Sequence, residues 1–60
     1  MNTQTIINLC HKGSMSTDRK ASLQLLKFAL KGLSPKDYQF LKVGLKSSVV
    51  SMMIAYAEAL

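Results

Sequence analysis

Seven apolar residues in the C-terminal half of the chain recur at helical spacing, and this pattern constrains the fold more than any other feature. They follow one another in steps of three or four: Tyr38, Leu41, Leu45, Val49, Met52, Tyr56 and Leu60. The steps average about 3.67 residues per turn, which keeps all seven side chains on one face of a nearly straight helix. From Val49 onward only Ser51 and Glu58 are polar. A helix that is apolar on almost every side is expected to be buried against other elements.

The length of the chain limits how it can bury that helix. Its 60 residues make one small domain, and a domain of this size buries only about 60% of the surface that its unfolded chain exposes. Disulfides, metals or partner chains commonly brace such domains. Cys10 and His11 are the only cysteine and the only histidine, so neither an intrachain disulfide nor a zinc site is expected. We therefore expect association, as a homodimer or a larger helical assembly, with no cofactor and no metal.

Residues 1–12 are compatible with a short helix or a strand. In a helix, Thr3, Ile6, Ile7 and Cys10 share one face; a strand is favoured by the β-branched residues, but polar and apolar positions do not alternate. The helix is preferred, because an isolated strand leaves its backbone groups without partners. This segment is expected to pack as an arm on the main helices or on a partner chain.

A second helix is predicted over residues 17–32. Gly13 is expected to end the segment before it, and Ser16 or Thr17 to cap its start. Its core stripe has helical spacing and is broadened by further apolar positions: Leu23, Leu26, Leu30 and Leu33, with Ala21, Leu25, Phe28 and Ala29. Phe28 and Phe40 are both assigned to the core.

The clearest boundary in the chain is Gly32-Leu33-Ser34-Pro35. Gly32 can adopt the left-handed conformation that ends a helix, Ser34 can cap the next helix, and Pro35 suits its first turn. Two alternatives follow for residues 35–59. One is a single long helix with a bend near 44–48, and the other is two helices with Ser47 or Ser48 as the second cap. The unbroken apolar stripe favours the single helix.

The predicted fold class is therefore all-α. Two main helices, over 17–32 and 35–59, are expected to pack antiparallel as a hairpin, with a short N-terminal helix beside them. Two such chains are expected to form a homodimeric helical bundle, in which the C-terminal helix makes most of the contact.

The predicted interface follows from this arrangement. Its apolar part lies on the C-terminal helix: Tyr38, Leu41, Leu45, Val49, Met52, Met53, Tyr56 and Leu60. Its rim consists of lysines that face the partner: Lys20, Lys27, Lys31, Lys42 and Lys46. The formal charge of +5 favours an acidic surface, on a larger protein or on nucleic acid.

Catalysis is not expected from these residues. Cys10 and His11 are neighbours in sequence, so they point in different directions on a helix. Asp37 and Glu58 lie far apart and have no acidic neighbours, so they do not suggest a carboxylate pair. The sequence also contains no glycine-rich phosphate loop.

A cytoplasmic location is expected. The apolar run from Val49 to Ala57 is about half the length that a bilayer requires, so no membrane span is predicted. The N-terminus lacks the basic start and the apolar core of a signal peptide, and a single cysteine fits a reducing compartment.

The expected function is that of a non-enzymatic regulator or inhibitor, which binds and modulates a larger protein through an apolar helix face with a lysine rim. Leu33-Ser34-Pro35, together with Tyr38 and Leu41, is similar to the pattern of small antirepressors built as a helical hairpin. This resemblance implies insertion of the helices into the dimer interface of a regulator.

The alternative is a small, basic, dimeric DNA-binding repressor. The segment from Leu26 to Leu45 resembles a helix-turn-helix, and the order of elements, beginning with a β-prone Thr3 to Leu9, resembles a ribbon-helix-helix repressor. The second resemblance implies that Gln4 and Asn8 read the major groove from a strand. Loss of duplex binding with rising salt would distinguish DNA binding from protein binding.

Overall fold

A computed structural model describes residues 2–60 and shows, within that range, helices and no β-strand. Helix α1 spans Thr3–Ser14 and α2 spans Arg19–Leu30. Helix α3 spans Pro35–Gln39 and continues into a π-helical turn over Phe40–Gly44, and α4 spans Ser48–Glu58. The predicted all-α class is confirmed. The predicted N-terminal segment is a helix rather than a strand, and Met1 lies outside the described residues.

Each of the four α-helices begins at a polar side chain that accepts a hydrogen bond from a free backbone N–H of the first turn. Ser34 Oγ accepts from Asp37 N at 3.2 Å, with Pro35 in the first turn as predicted. Helix α2 is capped by Asp18 and not by Ser16 or Thr17. The hydroxyl of Ser16 instead accepts a hydrogen bond from Asp18 N, which orients the cap.

Two glycines behave differently from the prediction. Gly13 does not end α1 but lies buried inside it, because the helix runs one residue further to Ser14. Gly32 does not adopt a left-handed conformation; among the described residues no glycine has a positive φ. Left-handed backbone occurs instead at Lys46, whose φ is 57°.

The core lies where α1, α2 and α4 meet, since each of these helices packs against the other two. Helix α1 is therefore a full member of the core rather than an arm. It is required there because α4 is apolar on two sides, and α2 can cover only one of them. The buried apolar residues come from all three helices and the π-helical turn: Ile6, Cys10, Leu23, Leu26, Ala29, Leu30, Leu41, Val50, Met53, Ile54 and Ala57.

The single long helix expected over residues 35–59 is wrong, and the alternative with two helices is the observed one. In the π-helical turn, Leu45 N donates to Phe40 O at 2.7 Å. The left-handed Lys46 follows, and the extended Ser47 then caps α4 by accepting from Val50 N at 3.3 Å. This break folds α3 back so that Leu41 becomes fully buried.

The assignment of both phenylalanines to the core is also wrong. Phe28 is 76% exposed and Phe40 is 44% exposed. Helix α2 buries the face that carries Leu26 and Leu30, and Phe28 lies on the opposite side of the same helix.

Candidate interaction surfaces

The structure divides the apolar interface predicted on the C-terminal helix. Leu41 and Met53 are fully buried in the core of the monomer, so they are not accessible to a partner. The other six members keep some exposed surface: Tyr38, Leu45 and Val49 are half-buried, and Met52, Tyr56 and Leu60 are 41–45% exposed. The break between α3 and α4 divides these six residues differently: Tyr38 and Leu45 precede it, and Val49, Met52, Tyr56 and Leu60 follow it.

One apolar surface remains on the outer side of α4. We call it the α4 outer face and define it by four exposed residues at helical spacing: Met52, Ala55, Tyr56 and Ala59. It lies opposite the residues that α4 buries, Val50, Met53, Ile54 and Ala57. The four residues of the face carry no charge, and two of them are alanines, which allow another helix to approach closely.

A second apolar surface lies on the outer side of α2. Leu25 is 64% exposed and Phe28 76% exposed, and Ala21 extends their row by one turn. Beside this row runs a polar edge of exposed residues, Lys20, Gln24 and Lys31. We call the row and its edge together the α2 outer face. Exposed apolar patches of this kind are typical of binding surfaces.

Sequence reasoning missed the α2 outer face because it treated every apolar residue of α2 as core. A signal was present: Ala21, Leu25 and Phe28 have helical spacing of their own, offset from Leu23 and Leu26. A helix packed on one side only cannot bury both rows.

The five lysines of the predicted rim fall into two groups. Lys20, Lys31 and Lys46 are exposed. Lys27 Nζ donates to the backbone oxygen of Leu60 at 2.7 Å, and Lys42 Nζ lies 3.0 Å from Glu58 Oε1. These two lysines connect α2 and the π-helical turn to the end of α4.

Tyr38, Lys42 and Glu58 form a polar cluster that holds α3 and the π-helical turn against α4. The Tyr38 hydroxyl donates a hydrogen bond to Glu58 Oε2, and Lys42 binds both carboxylate oxygens at 3.0 and 3.1 Å. Burial, and then the hydrogen bond to the carboxylate, raises the pKa of Tyr38 to about 12. The hydrogen bonds from Tyr38 and Lys42 lower the pKa of Glu58. This cluster spans the break between α3 and α4.

Cys10 and His11 do not form a catalytic pair. Cys10 is fully buried and His11 is exposed, so the two side chains lie on different sides of α1. Burial raises the pKa of the Cys10 thiol to about 11, which keeps it protonated at neutral pH. Within residues 2–60, no group of three His, Cys, Asp or Glu side chains is placed to hold a metal ion.

The strand that the resemblance to a ribbon-helix-helix repressor implies at Thr3 to Leu9 is not formed, because these residues belong to α1. Gln4 and Asn8, the expected base readers, lie one turn apart on α1, and Gln4 Nε2 donates to Asn8 Oδ1 at 3.1 Å.

None of the helices in the described part of the chain is long and apolar enough to cross a bilayer.

Comparison with known proteins adds no family to these observations: no family model, no curated protein and no solved structure matches the chain. Its function must therefore be inferred from its own surfaces.

Proposed function

We propose that the chain is a non-enzymatic regulatory protein that binds an acidic protein partner through the α2 outer face and associates with a second copy of itself through the α4 outer face. The observation that carries the proposal is Phe28, an aromatic side chain that is 76% exposed beside the exposed Leu25. Aromatic side chains on a surface provide large contact areas at low entropic cost and are enriched among the residues that dominate binding energy. Burial of Leu25 and Phe28 in the complex would supply most of the free energy of binding.

The charge around Phe28 supports an acidic partner. Helix α2 contains Arg19, Lys20 and Lys27 and no acidic residue, and Lys31 follows directly after it. Two copies of this face would bring lysines together, and like charges at an interface oppose association. A partner with Asp or Glu beside an apolar groove would instead match both the row and its edge.

Protein is a better match for this surface than DNA. The chain has a single arginine, Arg19, whereas bidentate reading of guanine edges prefers arginine. Phosphate binding would use the lysine edge and leave Leu25 and Phe28 in water.

The α4 outer face has the opposite character and suits a second copy of the chain. Met52, Ala55, Tyr56 and Ala59 carry no charge, so two identical faces can meet without repulsion. Tyr56 can keep its hydroxyl in water while its ring is covered. Self-association would also bury apolar surface that a 60-residue chain otherwise leaves exposed.

Capture from a lysate of the native host tests the acidic partner. The immobilised chain should retain a protein with an acidic surface, which mass spectrometry would identify. Leu25→Ser with Phe28→Ser should abolish capture, and Lys20→Glu with Lys31→Glu should weaken it at least tenfold. Lys12→Glu with Lys36→Glu is the control, because it changes the net charge equally at exposed positions outside the α2 outer face. Binding that survives the serine pair, and duplex DNA binding that falls steeply with salt, would refute the proposal in favour of a DNA-binding protein.

Sedimentation tests the self-association. Tyr56→Asp should shift the protein toward monomer, since a dimer would have to bury the new charge. Phe28→Asp introduces the same charge on the α2 outer face and should leave the dimer intact. Dimerisation that is insensitive to Tyr56→Asp would rule out the α4 outer face as the contact.

A further inference from the structure

We propose that two copies of this chain associate by exchanging α4, with residues 45–47 as the hinge. In the exchanged dimer, α3, the π-helical turn and α4 straighten into one helix, and each α4 packs into the core of the other copy. This inference rests on the proposed self-association and specifies its structure. It follows from the hinge, from the apolar stripe of the sequence and from the contacts that cross the break.

The hinge holds backbone that is unfavourable for its residues. Lys46 has a φ of 57°, and left-handed backbone is unfavourable for a residue with a side chain. Immediately before Lys46 lies the π-helical turn. There Leu45 N donates to the carbonyl oxygen five residues earlier, Phe40 O, instead of four residues earlier as in an α-helix. Straightening removes both features. Short hinges under strain are a recognised route to domain exchange.

The apolar stripe is explained by the straight form and not by the closed one. Its steps of three and four continue through the break, so one helix over residues 35–58 would align the stripe on one face. In the closed chain Leu41 is buried, whereas Met52 and Tyr56 face outward. The core side of α4 is a separate row, Val50, Met53, Ile54 and Ala57. In the straight form, the row from Val50 to Ala57 can therefore pack into the core of the other copy. The apolar stripe stays free to form a second contact between the two chains.

The straight helix is longer than the closed chain. At 1.5 Å per residue, a helix over residues 35–58 is about 36 Å long. The longest dimension of the closed chain is 30 Å. When α3 and the π-helical turn keep their place beside α2, straightening carries α4 away from α1 and α2 of its own chain, and a second copy offers an identical vacant position.

The exchange preserves the contacts that stabilise the closed chain. Lys42 lies before the hinge and Glu58 after it, and their side chains approach to 3.0 Å. In the exchanged dimer the same pair forms between two chains. Gly44 limits the stability of the straight form, because glycine has a low helix propensity. The relief at Lys46 is therefore partly offset, so the two forms can coexist.

Cross-linking distinguishes exchange from simple contact. Lys42→Cys with Glu58→Cys places two thiols across the hinge, and a flexible bis-maleimide of about 10 Å can join them. Cys10 can remain, because its burial and its pKa of about 11 make it unreactive at pH 7. The dimer fraction from size exclusion is treated, denatured and separated by mass. Exchange predicts covalent dimers, whereas the monomer fraction should give internally linked single chains.

Two results would overturn the exchange, and they differ in what they say about self-association. A dimer fraction that yields only internally linked single chains means that the closed chains associate side by side, which leaves the proposed self-association standing. A protein that sediments as monomer at every concentration refutes the exchange and the self-association together.

Hinge variants provide a second measurement. Lys46→Ala with Ser47→Ala raises the helix propensity of the hinge and removes the α4 cap of the closed form, so dimerisation should tighten about tenfold or more, since two hinges open per dimer. Lys46→Gly favours the left-handed conformation and should weaken dimerisation severalfold. Ser34→Ala is the control, because it removes a helix cap at a boundary that Pro35 keeps from straightening. Equal dimer dissociation constants for all three variants would refute the hinge.

Discussion

The terminal methyl group of Met53, on α4, lies directly against Gly13, on α1, so that a side chain at Gly13 would displace it. A Cβ at Gly13 would lie 2.8 Å from Met53 Cε and 3.2 Å from Ser22 Cβ on α2. Gly13 is thus the point at which all three core helices approach one another. A helix interior normally disfavours glycine, and here the absence of a side chain is what allows the close packing.

Gly13→Ala is therefore expected to destabilise the protein. Alanine improves helix propensity by up to about 1 kcal/mol, but the added methyl group overpacks a filled core, which typically costs about 1–3 kcal/mol. We expect a net loss on the order of 1 kcal/mol in urea unfolding. Gly32→Ala is the control: its Cβ would meet only Ala29 O at 3.5 Å, so stability should stay equal or rise by up to about 1 kcal/mol.

A double mutant tests whether Met53 causes the loss at Gly13. Met53→Leu removes the Cε atom at the same buried position, so adding Gly13→Ala to it should cost less than adding Gly13→Ala to the wild type. Strict additivity of the two substitutions would mean that the strain comes from Ser22 alone.

The cluster of Tyr38, Lys42 and Glu58 predicts a loss of stability in acid. The pKa of Glu58 is lower in the folded chain than in the unfolded one, chiefly because of the hydrogen bond from Tyr38. The contribution of Glu58 to stability is therefore complete above its unfolded pKa of 4.5, and it is lost as the pH falls through the lower folded pKa.

Tyr38→Phe should reduce the loss of unfolding free energy at acidic pH. It removes the largest cause of the pKa shift of Glu58 but keeps the aromatic ring. The measurement is the free energy of unfolding as a function of pH from 7 down to about 2, compared between wild type and variant. Parallel curves over this range would show that the hydrogen bond contributes nothing to the pH dependence.

The buried thiol of Cys10 predicts a loss of stability in alkali. Its pKa rises from 9.0 to about 11 on folding, so its contribution is complete below pH 9 and is lost as the pH rises toward 11. A shift of this size corresponds to a contribution on the order of 2–3 kcal/mol. Cys10→Ala should flatten the stability curve in that window, although the smaller side chain lowers stability at pH 7.

In the wild type, the rate at which a thiol reagent modifies Cys10 at pH 8 should track opening of the structure. Modification at the rate of a free cysteine would contradict the burial.

Residues whose role is local were predictable from the sequence. Ser34 and Pro35 start α3 as expected, since capping and a fixed φ depend only on the immediate chain. Leu26 and Leu30 lie in the core because the longest apolar row of α2 faces inward. The left-handed Lys46 was not predictable, because nothing in a lysine favours that backbone. The continuous apolar stripe even indicated the opposite, a straight helix.

The candidate surfaces were less predictable than the helices. Leu41 belongs to an apolar stripe shared with exposed residues, and Met53 lies on one of several apolar sides of α4; only the folding back of α3 and the position of α1 decide that both are buried. Phe28 shows the converse. An aromatic side chain usually lies in the core, but Phe28 lies on the side of α2 opposite Leu26 and is therefore exposed to water. Periodicity identifies rows of residues, and tertiary packing selects which row is covered.

Two neighbouring leucines on α2 provide the most direct test of that selection. Leu25 is 64% exposed and Leu26 is fully buried, although the sequence assigns both to one broadened stripe. Leu26→Ala should cost about 2–5 kcal/mol of unfolding free energy, because it leaves a cavity in the core. Leu25→Ala removes the same atoms from the surface and should change stability by no more than about 0.5 kcal/mol. Chemical denaturation of both variants measures the difference. Similar losses would mean that α2 is rotated relative to this structure, and the α2 outer face would then not be a surface at all.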